Sequence, residues 1–278
     1  MMSSDLSKFD ILADRIRLHR QVDARPIIIT EGVADQRFLQ RVLPVGFATV
    51  FLAQTRDVAL EATGQLARSR ISRFACVVDR DFDDQVQEWE SKALPIVAYD
   101  NADLEAMLWR SRALDDLLVE VGSSTKLATF GGIDRVRQTV EQALLPLQRL
   151  RRASAVGGLG LPFDALRLQA RVSRQTLSIG IASICSALWT PECSLGVQEL
   201  RDIAQSGSDP MCPVSGESLY RGKDCLAVLG VALRHLVGNL PHIAAKSERL
   251  EEAIRLAASA EIAASMSWYR RLTDQLGV

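Results

Sequence analysis

The chain has 278 residues, 47% of them hydrophobic and 24% charged. That is enough apolar material to bury a sizeable core without disulfide or metal staples. Thirty-three Lys and Arg against 34 Asp and Glu leave a formal net charge of −1, which excludes a strongly basic tail but leaves room for a local basic face.

In chain order, Phe9, Ile11, Leu12, Ile16 and Leu18 give residues 5–24 an apolar stripe among charges, the pattern of an amphipathic helix. Pro26 stops it. Ile27, Ile28 and Ile29 then form a β-branched run suited to a strand covered on both faces. After Glu31-Gly32 the pattern turns helical through Phe38, Leu39 and Val42. A second apolar run covers Phe47 to Leu52, and residues 56–70 are again helical. Phe74 to Val78 make a third strand and Pro95 to Ala98 a fourth. Strands alternating with helices imply a parallel sheet with crossover helices. From about residue 102 the strand pattern fades, and helices are expected over 102–120, 133–152, 176–188, 219–238 and 246–275. Gly157-Gly158-Leu159-Gly160 and the segment Ser206 to Ser218 mark the breaks. The expected class is therefore α/β. An N-terminal helix over 1–24 precedes an α/β domain over 25–110, and a helical domain over 111–278 packs on it. The last helix, with Trp268, is expected to pack on the chain's own core.

No apolar run reaches the about 18 residues of a membrane span. The first residues, MMSSDLSKFDILADRIRLHR, carry charges throughout and no apolar core, unlike a secretory signal. The expectation is a soluble, cytoplasmic protein without membrane association. Cys76, Cys185, Cys193, Cys212 and Cys225 form no C-x-x-C pair and are odd in number, which argues against a disulfide framework. His19, His235 and His242 show no ligand-like spacing, so a structural zinc site is not expected.

Three acidic segments carry the chemistry. Ile-Ile-Ile-Thr-Glu31-Gly32-Val-Ala-Asp35 ends a buried strand in a carboxylate, turns at Gly32 and enters a helix whose first turn holds Asp35. The carboxyl ends of parallel strands are where open α/β sheets place ligands. Phe-Ala-Cys-Val-Val-Asp79-Arg80-Asp81-Phe-Asp83-Asp84 ends a second buried strand in acids. If that strand persists, period-two alternation turns Asp79 and Asp81 to one side. Asp100-Asn101-Ala-Asp103-Leu-Glu105 ends a fourth strand, with Asp100 or Asn101 as helix cap and Asp103 and Glu105 in the first turn. A lone Glu-Gly is a turn, a lone D-x-D is common on surfaces, and capping accounts for part of the third cluster. Carboxylates converging from separate strands on one sheet edge have no stability benefit unless a cation neutralises them. Hard oxygen ligands in this number suit Mg²⁺ or Mn²⁺.

These residues resemble the Toprim domain of topoisomerases, primases and OLD-type nucleases, in which an apolar strand ends in Glu-Gly and a later one in Asp-x-Asp. The similarity is closest to the family of Toprim-like proteins that includes the effector nuclease of the PARIS anti-phage system. It rests on Glu31-Gly32-Val-Ala-Asp35-Gln-Arg-Phe38, on Asp79-Arg-Asp81-Phe82, on Asp103-Leu-Glu105-Ala-Met-Leu108 and, more weakly, on Arg221-Gly222-Lys223-Asp224. It covers residues 25–110 and part of 219–238. Thr30 departs from it, standing where an apolar residue is usual. The resemblance implies a Mg²⁺-dependent nuclease with Glu31 as acid/base or ligand, Asp79 and Asp81 as metal ligands, and Asp35 and Glu105 as further ligands. It also implies an ABC-type ATPase partner, a homodimer when active, and tRNA or DNA as substrate.

A polyanionic substrate needs positive charge away from an acidic pocket. Arg149, Arg151, Arg152, Arg167, Arg171 and Arg174 lie in one stretch with Asp164 as its acid, and Lys223 is a separate candidate for phosphate contact. A solvated helical face is the plainer account of that stretch. No G-x-x-x-x-G-K-[ST] occurs, so the chain is not expected to be the NTPase itself. Two alternatives stand beside the nuclease: a non-catalytic Toprim-like binding module, and a D-x-D phosphotransfer enzyme of haloacid-dehalogenase type.

Overall fold

A computed structural model describes residues 11–278. The expected helix over residues 5–24 falls partly outside them; its described part is α1 (Leu12–Val22). Four strands follow at the expected places: β1 (Ile27–Thr30), β2 (Thr49–Leu52), β3 (Phe74–Val78) and β4 (Ile96–Ala98). They pair in parallel in the order β2-β1-β3-β4. Helices α2 (Val33–Val42), α3 (Arg56–Arg68) and α4 (Gln85–Ser91) make the crossovers.

The chain divides into two compact units. One comprises the residues up to Asp79 with 84–99 and 259–278; the other comprises 80–83 and 100–258. The first unit holds the whole sheet. Ile27, Ile29, Phe74, Cys76, Val78, Ile96 and Ala98 form one face, packed with Leu12 and Ile16 of α1, Ala59, Ala62 and Leu66 of α3, and Val86 of α4. Every residue of β1 and β3 is buried, as a parallel sheet covered on both faces requires. Each fully buried Ile of β1 contributes roughly 1.5–3 kcal/mol.

The second face is closed by a helix from the far end of the chain. After α13 (Ala260–Ser265), helix α14 (Ser267–Leu276) packs on β3 and β4. Trp268 is fully buried, its ring 5.2 Å from Tyr99 and 6.2 Å from Phe38 of α2. Arg271 donates to the Ala98 carbonyl at 2.7 Å. The single domain expected over 111–278 is thus divided differently, with its last 20 residues in the sheet-bearing unit. The single helix expected over 246–275 is α12 (Ser247–Ala257) followed by α13 and α14, because Ser259 caps α13 and breaks the run.

In the second unit the expected helix over 102–120 is two, α5 (Leu104–Trp109) and α6 (Arg112–Val121), split where Ser111 caps the second. Helices α7 (Ser124–Phe130), α8 (Ile133–Gly157) and α9 (Ile181–Leu188) follow. Helix α8 stops at Gly158, whose φ of 61° supplies the left-handed cap. Next come α10 (Val197–Ser206) and α11 (Gly222–His235). Helix α11 is buried nearly all round, from Asp224 to Leu233, and packs with α5, α8 and α12. A helix apolar on every side belongs at the centre of its domain. Among the described residues no helix is long and apolar enough to cross a membrane.

Candidate functional site

The chain leaves β1 to build β2 on one side, then crosses back over β1 to build β3 on the other. This reversal makes a topological switch point between β1 and β3, where open α/β sheets leave a crevice at the carboxyl ends of the strands. Thr30, the last residue of β1, pairs in register with Val77 of β3. Glu31 is the next residue after β1, and Asp79 the next after β3. The two carboxylates therefore follow directly on the adjacent strands that flank the switch point.

Both are half-buried. Burial pushes the Cys76 thiol up to about 12, with the Glu31 charge adding to the shift. Thr30 is fully buried, and its hydroxyl has no hydrogen-bond partner among the described residues. A buried hydroxyl left unbonded costs about 1–3 kcal/mol, which an apolar residue would avoid. The departure from the apolar pattern at Thr30 therefore puts an orphaned polar atom at the end of β1.

Asp35 is held from two sides. Its Oδ2 accepts the Gly32 amide at 3.2 Å, closing the first turn of α2, and its Oδ1 accepts the Tyr99 hydroxyl at 2.7 Å. A Cβ at Gly32 would lie 2.8 Å from that Oδ2. Asp35 thus orients the Glu31-Gly32 turn, and both its oxygens are engaged. Sequence reasoning missed Tyr99; its place in the Val-Ala-Tyr run, one residue past β4 and next to the α14 aromatic, is the feature that marks it.

The D-x-D segment does not continue the strand. β3 stops at Val78 and Asp81 has a φ of 53°, so period-two alternation does not orient Asp79 and Asp81 together. A left-handed turn is costly for most residues but tolerated by Asp. In the second unit Asp81 is exposed, and its amide donates to the Ala102 carbonyl at 2.9 Å. Phe82 is buried with Ala102, Cys212 and Leu219.

The third acidic segment and the Arg-Gly-Lys-Asp segment are one joint within the second unit. The cap of α5 is Asp103, not Asp100 or Asn101: its Oδ1 accepts the Ala106 amide at 2.7 Å. Its two oxygens also accept the Gly222 amide at 3.0 and 3.1 Å. Burial, then the Glu105 charge, pushes Asp103 up to about 8. Glu105 forms an ion pair with Arg255 of α12. Asn101 Oδ1 accepts the amides of Ala102 and Tyr220. Among the described residues no group of three or more His, Cys, Asp and Glu side chains stands ready to hold a metal ion.

The arginine stretch separates into bonded and open members. Arg149 binds Asp209 at 2.7 Å and the Ala204 and Gln205 carbonyls. Arg151 is buried in a bidentate pair with Asp224, at 2.7 and 2.9 Å. Arg152 donates to the Phe82 carbonyl at 2.7 Å, and Arg171 to Ser183. The plain solvated face does not describe these four, since acids and carbonyls distant in sequence bind them. Arg167, Arg174 and Lys223 are exposed and line one cavity.

Comparison with protein-family models, with curated proteins and with solved structures finds no match for this chain.

Proposed function

We propose that the chain is a Toprim-like, metal-dependent endonuclease that cleaves tRNA or DNA. One observation carries the reading: Glu31 and Asp79 directly follow the two adjacent parallel strands that flank the switch point. The donor set fits Mg²⁺ or Mn²⁺ rather than a softer ion. Mg²⁺ is commonly held by one or two carboxylates, with waters and substrate phosphates completing the shell, so a three-carboxylate cage is not required.

In this reading Glu31 and Asp79 hold the ion. When bound, the ion neutralises phosphoryl charge and makes a water acidic enough to attack. Glu31 would hold the ion or accept a proton from the attacking water. Asp35, fixed by Gly32 and Tyr99, keeps the turn that carries Glu31 in place. Glu105, paired with Arg255, is left out of the ligand set. Control by an ABC-type ATPase, a role in anti-phage defence and action as a homodimer follow from the sequence resemblance and belong to the same proposal. The phosphotransfer alternative is disfavoured, because its nucleophile stands at the end of the first strand, where this chain has Glu31.

The test is cleavage of a panel of tRNAs and plasmid DNA with and without Mg²⁺. Cleavage that needs the metal and is lost in Glu31→Gln and Asp79→Asn supports the reading. Cleavage that survives Glu31→Gln rejects it, and absence of cleavage with every substrate favours the binding module.

A further inference from the structure

The second unit contains a cavity of about 800 Å3 that the reading above does not use. Its floor is apolar, with Leu168, Ala227 and Val231 buried along it. Its walls carry Arg167, Arg174, Arg221, Lys223, Arg234 and Lys246, together with His235 and His242. Three acids share the lining. Asp224 is bound by Arg151, Asp164 pairs with Arg221 at 3.4 Å, and Glu248 stands in the first turn of α12.

Arg167, Arg174, Arg234 and Lys246 form no ion pair with the described residues. Like charges gathered on one concave, partly apolar surface repel, and the field is focused rather than screened there. Burial, with the charges of Arg234 and Arg174 adding, pushes His235 below the ordinary histidine value. Lys246, Ser247 and Glu248, the cap and first turn of α12, also line the cavity, and no side chain caps that helix. A helix N-terminus adds positive potential and amide donors to the cations already present.

We propose that this cavity binds a nucleoside polyphosphate. The volume lies within the range of small-ligand pockets, roughly 300–1,000 Å3. Cations without acidic partners call for an anion of more than one charge, and Arg favours phosphate through its planar donor fork. The apolar floor takes the base that inorganic phosphate lacks. A single strand of nucleic acid is the competing occupant; the cavity's size and apolar floor favour the smaller ligand. The inference is independent of the chemistry at β1 and β3.

The experiment is calorimetric titration of the full chain with ATP, GTP, AMP, pyrophosphate and a single-stranded 12-mer oligonucleotide, all in EDTA. ATP or GTP should bind at least roughly tenfold more tightly than AMP and than pyrophosphate. The exposed side chains of Arg167, Arg174 and Lys246 can be truncated together without touching the core. The triple Ala variant should keep the wild-type urea midpoint and lose at least roughly tenfold in ATP affinity. Glu31→Gln should bind ATP like the wild type. No binding of ATP or GTP, binding of the oligonucleotide alone, pyrophosphate binding as tightly as ATP, or ATP affinity unchanged in the triple variant each overturn the proposal.

Discussion

Replacing Arg151 with Met tests whether the arginine stretch serves structure or solvent-facing phosphate contact. Its side chain is 9% exposed and that of Asp224 8%, and the two form a bidentate pair. The guanidinium also stands 4.4 Å from the Phe163 ring, and Gln148 donates to the same Asp224 oxygen at 3.2 Å. Arg151→Met leaves the Asp224 carboxylate buried with Gln148 as its remaining side-chain partner. Uncovering one half of a buried pair costs about 3–5 kcal/mol, and the lost ring contact adds about 0.5–2 kcal/mol. The expected loss is about 5 kcal/mol in urea unfolding, with hydrogen exchange faster in α8 and α11. Asp224→Leu alone should cost a similar amount. The double variant should recover most of it, because a well-packed apolar pair often replaces a buried ion pair at little cost. A single variant within about 0.5 kcal/mol of wild type, with additive behaviour in the double, would refute the reasoning.

Three further outcomes are expected. A Cβ at Gly222 would overlap Glu105 Cβ and lie 2.5 Å from the Ala106 amide nitrogen and 2.6 Å from Asp103 Oδ1. Gly222→Ala should therefore destabilise the second unit by about 3 kcal/mol, measured by denaturant unfolding. Tyr99→Phe removes the hydroxyl that donates to Asp35 and should cost about 1–2 kcal/mol in thermal unfolding, with the metal requirement of cleavage unchanged. Asp103 is raised from 3.8 to about 8, so the folded chain binds a proton that the unfolded chain has already lost. The stability from this group is complete below the unfolded value and declines as pH rises towards about 8. Unfolding measured across pH 5–8 should show that decline, and Asp103→Asn should flatten it.

Much of the sheet is legible in the sequence. β-branched and apolar runs bounded by Pro26, Glu31-Gly32 and Asp79 locate β1 and β3 to within a residue, because a strand buried on both faces leaves a continuous apolar record. The order β2-β1-β3-β4 is not legible, since alternation of strands and helices is compatible with several orders. The second cover of the sheet is hidden for a similar reason: Trp268, Leu272 and Leu276 give α14 an apolar stripe, but a stripe does not name its partner. The sequence does not separate α5 from α6, because Arg110 and Ser111 are too short a break to alter the apolar period.

The site was legible in part. Glu31 and Asp79 stand where strand ends predict them. The turn at Asp81 is not foreseeable from period two, which holds only while the strand lasts. Asp35 and Glu105 read as ligands because their partners, Tyr99 and Arg255, are 64 and 150 residues away. Linear charge density likewise hides the difference between Arg151, neutralised by Asp224, and Arg174, which lines an open cavity. Arg234 and Lys246 lie on other elements and join that cavity only in the fold.

The central claim is that carboxylates at the switch point hold a divalent ion. Electron paramagnetic resonance of Mn²⁺ added to the full chain with a short oligonucleotide tests it directly. Wild type, Asp35→Asn and Glu105→Gln should immobilise the ion, and Glu31→Gln and Asp79→Asn should leave it free in solution. Immobilisation that persists in Glu31→Gln and Asp79→Asn would contradict the account.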